Sequence, residues 1–365
     1  MRYWTIIILL LLAACAPQET TETVYRVGAI QPLSGDGSVY GLPVQRVVQQ
    51  AVKDLNEQWK DKNQRIEVIY EDGKCSGKDA LSAAQNLVNL RGIKVIYGGT
   101  CSSETLGLAP FTEENKILVF SPLSSSPEIT NAGDYVFRNY PSDTAQVEAM
   151  LPFMEEGGYK KIAILSENTD YAQALRKSYA ASMESISAEL VADEVVAPNT
   201  KDVRTEISKI KAKNPDAIIA LPQTVPTAGV FAKQLFESKV DAQVLGNEVM
   251  GLEQTIDEYG KMVEGYFTPS SVFEKENSEE FINLKDKIDC ELSFYCATTY
   301  DGVFLLGELL EKCGDQDTDC MRDALYATKG WEGLLSGKTT FDENGDVPGS
   351  FQVNEIVDGK LVKVR

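Results

Sequence analysis

The stretch KVIYGGTCSS, Lys94–Ser103, decides how the chain folds. Its VIY triplet is typical of a buried strand, and two glycines and four small residues then lead into a helical pattern near Glu104. A strand that ends this way leaves free backbone N–H groups and the positive end of a helix dipole at its tip. We therefore predict a seat for an anion such as a carboxylate. The alternative is that Ser102 and Ser103 only cap the helix.

Strand and helix patterns alternate along the chain in two successive series. The first series predicts strands at 24–30, 65–71, 95–97, 117–120 and 135–138, with helices at 41–59 and 77–91. The second predicts strands at 161–165, 191–196, 217–221 and 243–246, with helices at 170–188, 202–212 and 225–237. Such alternation is typical of parallel sheets covered by helices. We predict an α/β fold with two doubly wound lobes of mainly parallel sheets.

The last third of the chain has a different pattern. Helical periodicity covers 281–288, 295–311 and 321–327, and strand-like runs follow at 334–341, 350–357 and 361–364. Asn344-Gly345 is a strong hairpin signal between the first two of these runs. We expect the helices to return to the first lobe and the last strands to join the second. The predicted division is therefore 24–143 with 272–337 for lobe 1, and 144–271 with 338–365 for lobe 2.

Composition excludes several classes of function. The 365 residues carry a formal net charge of −20, which disfavours nucleic acid and anionic membrane surfaces as direct partners. The chain has no histidine, so Ser-His-Asp and Cys-His catalysis and histidine-ligated metals are excluded. Asp342, Asn344 and Asp346 imitate the start of a calcium loop, but Val347 and Val353 replace its glycine and glutamate. We predict no enzyme activity, no catalytic residue, no cofactor and no metal.

The amino terminus has the pattern of an export signal. Arg2 precedes an apolar run from Ile6 to Leu12, which is too short for a permanent membrane span. The sequence Leu12-Ala-Ala-Cys15 resembles a bacterial lipobox, which implies cleavage before Cys15 and lipidation of its thiol. We predict a lipoprotein signal peptide at 1–15, a polar tether at 16–23, and a periplasmic or cell-surface lipoprotein. The alternative is a plain signal peptide that contains a cysteine by chance.

Six cysteines remain after Cys15, an even number that favours disulfides in an exported chain. Cys75 and Cys101 follow strands predicted to be adjacent and parallel, so they can meet at one end of the sheet. Two other pairs each flank a break between helical patterns, and each would staple a helix–helix turn: Cys290 with Cys296, and Cys313 with Cys320. Free buried cysteines are the alternative.

Several motifs, in order, resemble the leucine/isoleucine/valine-binding proteins, the type I periplasmic solute-binding components of ABC transporters. The similarity covers about Tyr25 to Arg365. The matching motifs are PLSGDGSVYG at 32–41, Glu71-Asp72, GGTCSSETLGLAPFTEENKILVFSPLSSSPEIT at 98–130, NTDY at 168–171, GNE at 246–248, TYDG at 299–302 and FDENGD at 341–346. The resemblance implies two lobes joined by three crossing segments, which close by hinge motion over one amino acid.

The resemblance also implies which residues hold the two charges of that amino acid. Ser102 and Ser125 would donate hydroxyls to the ligand carboxylate, and the turn Leu123-Ser124-Ser125 would add backbone contacts. Glu248 would accept the α-ammonium. A zwitterion needs both partners, because burying either charge unpaired is costly. For Glu248 the alternative is a solvated loop acid.

Three more site residues and one disulfide follow from the same family pattern. Tyr40 and Tyr171 would form aromatic walls, one from each lobe, with ordinary packing as the alternative. Thr224 stands near the point where relatives often have a ligand-contacting tyrosine, so we expect it to be a weak substitute. The pair Cys75–Cys101 matches the family disulfide.

We therefore expect a lipid-anchored binding protein, by family habit a monomer, that delivers an amino acid to an ABC permease in the membrane. The ligand is expected to be aliphatic. Two alternatives stay open: a binder of urea, a short amide or an aromatic acid on the same scaffold, or a sensor that signals to a receptor.

Overall fold

The structure, a computed structural model, describes residues 22–288 and 293–365. In chain order the strands are β1 Thr23–Gln31, β2 Gln64–Asp72, β3 Val95–Gly98, β4 Leu118–Ser121, β5 Val136–Arg138, β6 Lys161–Glu167, β7 Glu189–Val196, β8 Ala217–Leu221, β9 Gln243–Gly246, β10 Phe267–Val272, β11 Lys329–Glu332, β12 Lys338–Thr340, β13 Ser350–Val357 and β14 Lys360–Lys363. The α-helices are α1 Ser38–Gln58, α2 Gly77–Gln85, α3 Ser102–Asn115, α4 Thr144–Glu156, α5 Asp170–Ser182, α6 Arg204–Lys211, α7 Val225–Ser238, α8 Glu253–Tyr259, α9 Glu279–Ile288, α10 Ser293–Cys313 and α11 Thr318–Tyr326.

Lobe 1 is built on a five-stranded sheet of order β2-β1-β3-β4-β5, in which every pair is parallel. On one face α1 packs with α9, α10 and α11 around buried residues such as Val47, Leu55 and Leu310. On the other face α2 and α3 cover Ile30 and Ile96. The C-terminal helices therefore complete the core of the first sheet, because they supply apolar faces that α1 alone cannot cover.

Lobe 2 is built on a seven-stranded sheet of order β14-β13-β10-β9-β8-β6-β7. Strands β6 to β10 run parallel, and β13 and β14 add an antiparallel edge. Separate apolar clusters cover its two faces. The predicted α/β fold with two doubly wound, mainly parallel lobes is confirmed. The chain passes between the sheets three times: after β5, after β10, and between β12 and β13.

Three details of the strand predictions are wrong. Strand β11, Lys329–Glu332, was not predicted. The strand β10, FTPSSV, has no apolar alternation and contains Pro269, so no pattern predicted it. The strands β2 and β3 both pair with β1, so they are not adjacent to each other. Their carboxyl ends nevertheless lie at the same edge of one parallel sheet.

The predicted pairing around Asn344-Gly345 is also wrong. Strand β12 pairs with β11, whereas β13 pairs with β10 and β14. The turn is held by a long-range ion pair instead: Arg138, which is fully buried, donates from Nε and Nη2 to the two Asp346 carboxylate oxygens, each at 2.7 Å. Arg138 also donates to the carbonyl of Ser126 at 2.8 Å. We name Arg138 and Asp346 the Arg138 clamp.

Candidate functional site: a cleft between the lobes

A cleft separates the carboxyl ends of the two parallel sheets, where open α/β sheets commonly bind ligands. Lobe 1 supplies the loops after β3 and β4 and the first turn of α1. Lobe 2 supplies the starts of α5 and α7 and the turn after β9. The empty space between these walls, up to the mouth, is about 410 Å³. The lining residues are Tyr40, Thr100, Cys101, Ser102, Leu123, Ser125, Tyr171, Gln223, Val249 and Tyr295.

The loops of the lobe 1 wall are held together by hydrogen bonds of serine hydroxyls. The Ser124 hydroxyl donates to the Gly99 carbonyl at 2.7 Å and is 1% exposed, so Ser124 supports the wall without lining the cleft. Ser102 is the first residue of α3, and the cap position before it is Cys101, so neither predicted serine caps this helix. The Ser102 oxygen accepts the Ser126 N–H at 3.2 Å. The Ser102 hydroxyl hydrogen therefore remains available to a ligand.

Ser125 lines the cleft beside an acid that the sequence reasoning missed. The Ser125 hydroxyl donates to Asp143 at 2.9 Å, and the Gln146 amide donates to the other Asp143 oxygen at 2.6 Å. Burial raises the pKa of Asp143 to about 7, and the charge of Glu248 adds to the shift. While Asp143 is ionised, the hydrogen of Ser125 is committed to it, so Ser125 can only accept a hydrogen bond from the cleft.

Glu248 lies behind the cleft wall, in the turn after β9, and is 8% exposed. One carboxylate oxygen accepts the hydroxyls of Tyr140 at 2.8 Å and Tyr295 at 3.0 Å, and the other accepts the N–H and hydroxyl of Ser271. Burial raises the pKa of Glu248, and these donors oppose the shift. Glu248 borders a neighbouring cavity, and Tyr295 lines both spaces. The hydroxyl of Tyr295 therefore stands between this carboxylate and the cleft.

The lobe 2 wall has a second buried acid that the sequence reasoning also missed. Glu167, at the end of β6, is 1% exposed and accepts the Gln223 N–H at 2.7 Å and the Thr227 hydroxyl at 3.1 Å. Burial raises its pKa. Glu167 therefore fixes the loop that presents Gln223. Thr224 caps α7 and is not among the lining residues.

The two predicted tyrosine walls face each other across the cleft, Tyr40 from lobe 1 and Tyr171 from lobe 2. The Tyr40 hydroxyl donates to the Gln223 carbonyl at 2.7 Å, which joins the two lobes directly. The third tyrosine, Tyr295, packs on Tyr140 with ring centroids 4.8 Å apart. No local pattern predicted Tyr295, because it comes from α10, far along the chain from every other lining residue.

The charge of the walls is one-sided. None of the ten described lining residues is a lysine or arginine, whereas Asp143, Glu167 and Glu248 lie directly behind the walls. Within the described residues no cluster of acids and cysteines is arranged to hold a metal ion. The cleft can therefore neutralise a cationic group with carboxylates, but it can hold an anionic group only with hydroxyls and N–H groups.

Two of the three predicted disulfides fall within the described residues. Cys75 is joined to Cys101, with Cα atoms 5.2 Å apart, and Cys313 is joined to Cys320. Cys296 is disulfide-bonded, but Cys290 lies outside the described residues. So do the signal peptide at 1–15, the lipidation site Cys15 and nearly all of the tether at 16–23. Across 22–288 and 293–365, no helix is both long and apolar enough to cross a membrane.

Comparison with known proteins agrees with this architecture. A family model described as periplasmic binding protein matches residues 24–360. The Leucine-, isoleucine-, valine-, threonine-, and alanine-binding protein of Pseudomonas aeruginosa is 24% identical over 341 residues, covering 92% of this chain and 90% of that protein.

Two solved structures are similar in fold. A branched-chain amino acid transporter substrate binding protein of Streptococcus pneumoniae, in complex with isoleucine, has a TM-score of 0.81 at 24% identity and covers 94% of this chain and 100% of that one. A solute binding protein of an ABC transporter from R. palustris, in complex with benzoate, has a TM-score of 0.81 at 18% identity, covering 93% and 95%. The chain belongs to the periplasmic binding protein family and is a type I member related to the leucine/isoleucine/valine-binding proteins.

Proposed function

We propose that the protein is the extracytoplasmic substrate-binding component of an ABC transporter and that it captures a free amino acid in the interlobe cleft. The observation that carries this proposal is the one-sided charge of the cleft: three buried carboxylates stand behind its walls, and no lysine or arginine is among the described lining residues. An α-ammonium group would be stabilised there, because a buried charge needs an opposite partner. The protein does no covalent chemistry.

The two ends of the ligand would be held by different walls. The carboxylate would take the free hydrogen of Ser102 and the positive end of α3, since N–H groups at a helix start favour an anion. The ammonium would take the Glu248 oxygen that now accepts the Tyr295 hydroxyl at 3.0 Å. Exchanging a neutral donor for a charged one strengthens that bond and offsets the cost of burying the carboxylate.

Ligand binding would favour the closed form, because only that form brings both walls into contact with one small molecule. The bond from Tyr40 to the Gln223 carbonyl supports this view, since it spans the cleft beside the proposed ligand site. We propose the boundaries 143/144, 271/272 and 337/338 for the two lobes that move. The boundary 143/144 falls in the passage after β5, whereas 271/272 falls at the end of β10 and 337/338 falls in the turn between β11 and β12, just ahead of the third passage.

The protein would work at the membrane surface without spanning it. Lipidation of Cys15 would anchor the chain, and the tether at 16–23 would let a monomeric binding protein reach its permease. The net charge of −20 supports an exported protein that stays soluble at the surface.

An aromatic acid is the second candidate ligand. Three tyrosines line the cleft, and one similar structure holds benzoate. The absence of a lysine or arginine among the described lining residues counts against it, because a benzoate carries one negative charge and no ammonium.

Thermal unfolding in the presence of each standard amino acid, urea, benzoate and 4-hydroxybenzoate tests the proposal. Ligand at a hundred times its Kd should stabilise the protein by about 2.7 kcal/mol. We expect stabilisation by an amino acid that is abolished in Glu248→Ala and kept in Glu189→Gln, an exposed acid of lobe 2. Stabilisation by benzoate alone would contradict the proposal.

A further inference from the structure

We propose that the cleft prefers amino acids whose uncharged side chain can form a hydrogen bond, a hydroxyl or a carboxamide, over aliphatic side chains of the same size. This inference rests on the proposed function and concerns the part of the cleft that would hold the ligand side chain. It is carried by two polar side chains, Thr100 and Gln223, which line the cleft from opposite lobes and have no hydrogen-bond partner among the described residues.

Thr100 is 4% exposed, and its Oγ1 is buried without a partner among the described residues. The backbone of Thr100 is held mainly by its N–H, which donates to Glu104 at 2.9 Å; its carbonyl also lies 3.4 Å from the Ser124 hydroxyl. These bonds fix the loop, so the hydroxyl cannot easily turn elsewhere to find a partner. A buried hydroxyl that is never paired costs free energy, so a ligand group that pairs it is favoured.

Gln223 faces the same space from lobe 2 and is 8% exposed. Its backbone N–H donates to Glu167 and its carbonyl accepts the Tyr40 hydroxyl, both at 2.7 Å. No hydrogen bond involves its side-chain amide within 22–288 and 293–365. The loop is therefore pinned by its backbone, and a carboxamide with two donors and an acceptor remains for the ligand.

The remaining walls give apolar surface to either kind of side chain, so Thr100 and Gln223 are what distinguishes a polar ligand side chain from an aliphatic one of the same size. Of the ten described lining residues, two have aliphatic side chains, Leu123 and Val249; the others are aromatic, polar or part of the Cys75–Cys101 disulfide. Closing over valine or leucine would bury Thr100 and Gln223 with nothing to pair. Sites that contain such polar groups discriminate against an analogue that lacks the matching group.

Two pairs of ligands of similar shape test this inference by calorimetry on the full mature chain: threonine against valine, and asparagine against leucine. We expect threonine to bind at least tenfold more tightly than valine, and asparagine at least tenfold more tightly than leucine. Thr100→Val removes the hydroxyl at constant shape and should reduce the threonine preference to within about threefold. Gln223→Met should do the same for asparagine.

Thr268→Val is the matched control. Thr268 is also fully buried with an unpaired Oγ1, but it lies in β10 and does not line the cleft. It should leave both ratios unchanged. Wild-type ratios below tenfold, or ratios that survive both cleft variants, overturn this inference while leaving an amino-acid binding protein. If no amino acid binds, the proposed function itself is wrong, and the inference falls with it.

Discussion

Glu104 in lobe 1 and Glu248 in lobe 2 are both buried, yet their partners differ completely. Within the described part of the chain, Glu104 accepts only backbone N–H groups, from Cys75, Thr100 and Cys101, at 2.9 to 3.1 Å. Glu248 accepts the hydroxyls of Tyr140, Tyr295 and Ser271 and one backbone N–H. Backbone donors cannot leave without unfolding the loop, whereas hydroxyls can rotate toward another acceptor. Burial alone therefore does not identify a binding acid; the mobility of its donors does.

Glu104→Gln should have the largest effect, and it should fall on stability. The amide would turn a donor toward N–H groups that then lack an acceptor, so we expect the free energy of unfolding to drop by about 2–3 kcal/mol. Urea denaturation measures this. Calorimetry on the protein that remains folded should give a Kd within about twofold of wild type. A large loss of affinity with unchanged stability would remove the contrast between the two acids.

Glu248→Gln should show the reverse pattern. We expect the affinity for the bound amino acid to fall at least tenfold, about 1.4 kcal/mol, because a neutral amide cannot compensate the ammonium. The free energy of unfolding should change by about 1 kcal/mol or less, since the variant also removes a buried charge. Calorimetry and urea denaturation on one preparation give both numbers. Unchanged affinity would contradict the ammonium role.

Asp143 extends the comparison to pH. Burial raises its pKa from the ordinary 3.8 to about 7 in the folded protein, so between about pH 4 and 7 the folded chain keeps a proton that the unfolded chain has lost. The free energy of unfolding should therefore fall as pH rises through this window, by at most about 1.4 kcal/mol per pH unit. Denaturation of Asp143→Asn at several pH values should give a flatter curve.

Part of that slope will remain in Asp143→Asn. Glu104 has a pKa raised by burial to about 7 against 4.5, and its contribution has the same sign. Adding Glu104→Gln should flatten the curve further. If the free energy of unfolding of the wild type rose between about pH 4 and 7, the raised pKa of both groups would be contradicted.

Tyr40→Phe should weaken ligand binding about two- to tenfold, because it deletes one hydrogen bond that exists only when the lobes meet. Stability without ligand should hardly change. Tyr70→Phe is a matched control, since Tyr70 is a lobe 1 tyrosine that is not among the lining residues. Equal effects of both variants on affinity would argue against a role for Tyr40 in closure.

The smallest effect is expected at an exposed acid. Glu128 of lobe 1 pairs with Lys177 of lobe 2 at 2.6 Å, with both side chains substantially exposed. Such pairs contribute little and are screened by salt. Lys177→Gln should change the Kd less than about twofold, and the difference should vanish in 0.5 M salt. A larger, salt-resistant change would mean that this pair is part of the closing device.

The sequence predicted the fold better than it predicted the site. Twelve of the fourteen described strands lie where a strand pattern predicted one, and two, β10 and β11, do not. Strand β10 was not predicted because FTPSSV has no alternation of apolar residues. It is a strand because it pairs with β9 on one side and β13 on the other. The predicted hairpin at Asn344-Gly345 does not form. The turn is instead held by the Arg138 clamp, whose two residues are 208 apart in the chain, so no local pattern indicates it.

In the cleft, local motifs indicated which loops line the site, but not the buried hydrogen bonds behind those loops. Residues at strand ends, such as Ser102 and Ser125, were identifiable because the fold brings strand ends together. Asp143 and Tyr295 were not, since neither belongs to a recognisable motif and each acts through a partner elsewhere in the chain, Ser125 and Glu248. Thr100 was visible in the motif, but its unpaired hydroxyl emerges only from the packed loops.

The Arg138 clamp has a consequence for how the molecule bends. Arg138 ends β5, just before the first passage between the lobes, and Asp346 lies in the third passage. Arg138 also donates a hydrogen bond to the carbonyl of Ser126, the residue whose N–H binds Ser102 in the proposed carboxylate site. Two of the three connecting segments are therefore joined by this ion pair, next to lobe 1. This ion pair would keep residues up to Asp346 with lobe 1, so the bend of the third passage would lie after Asp346 and not at 337/338.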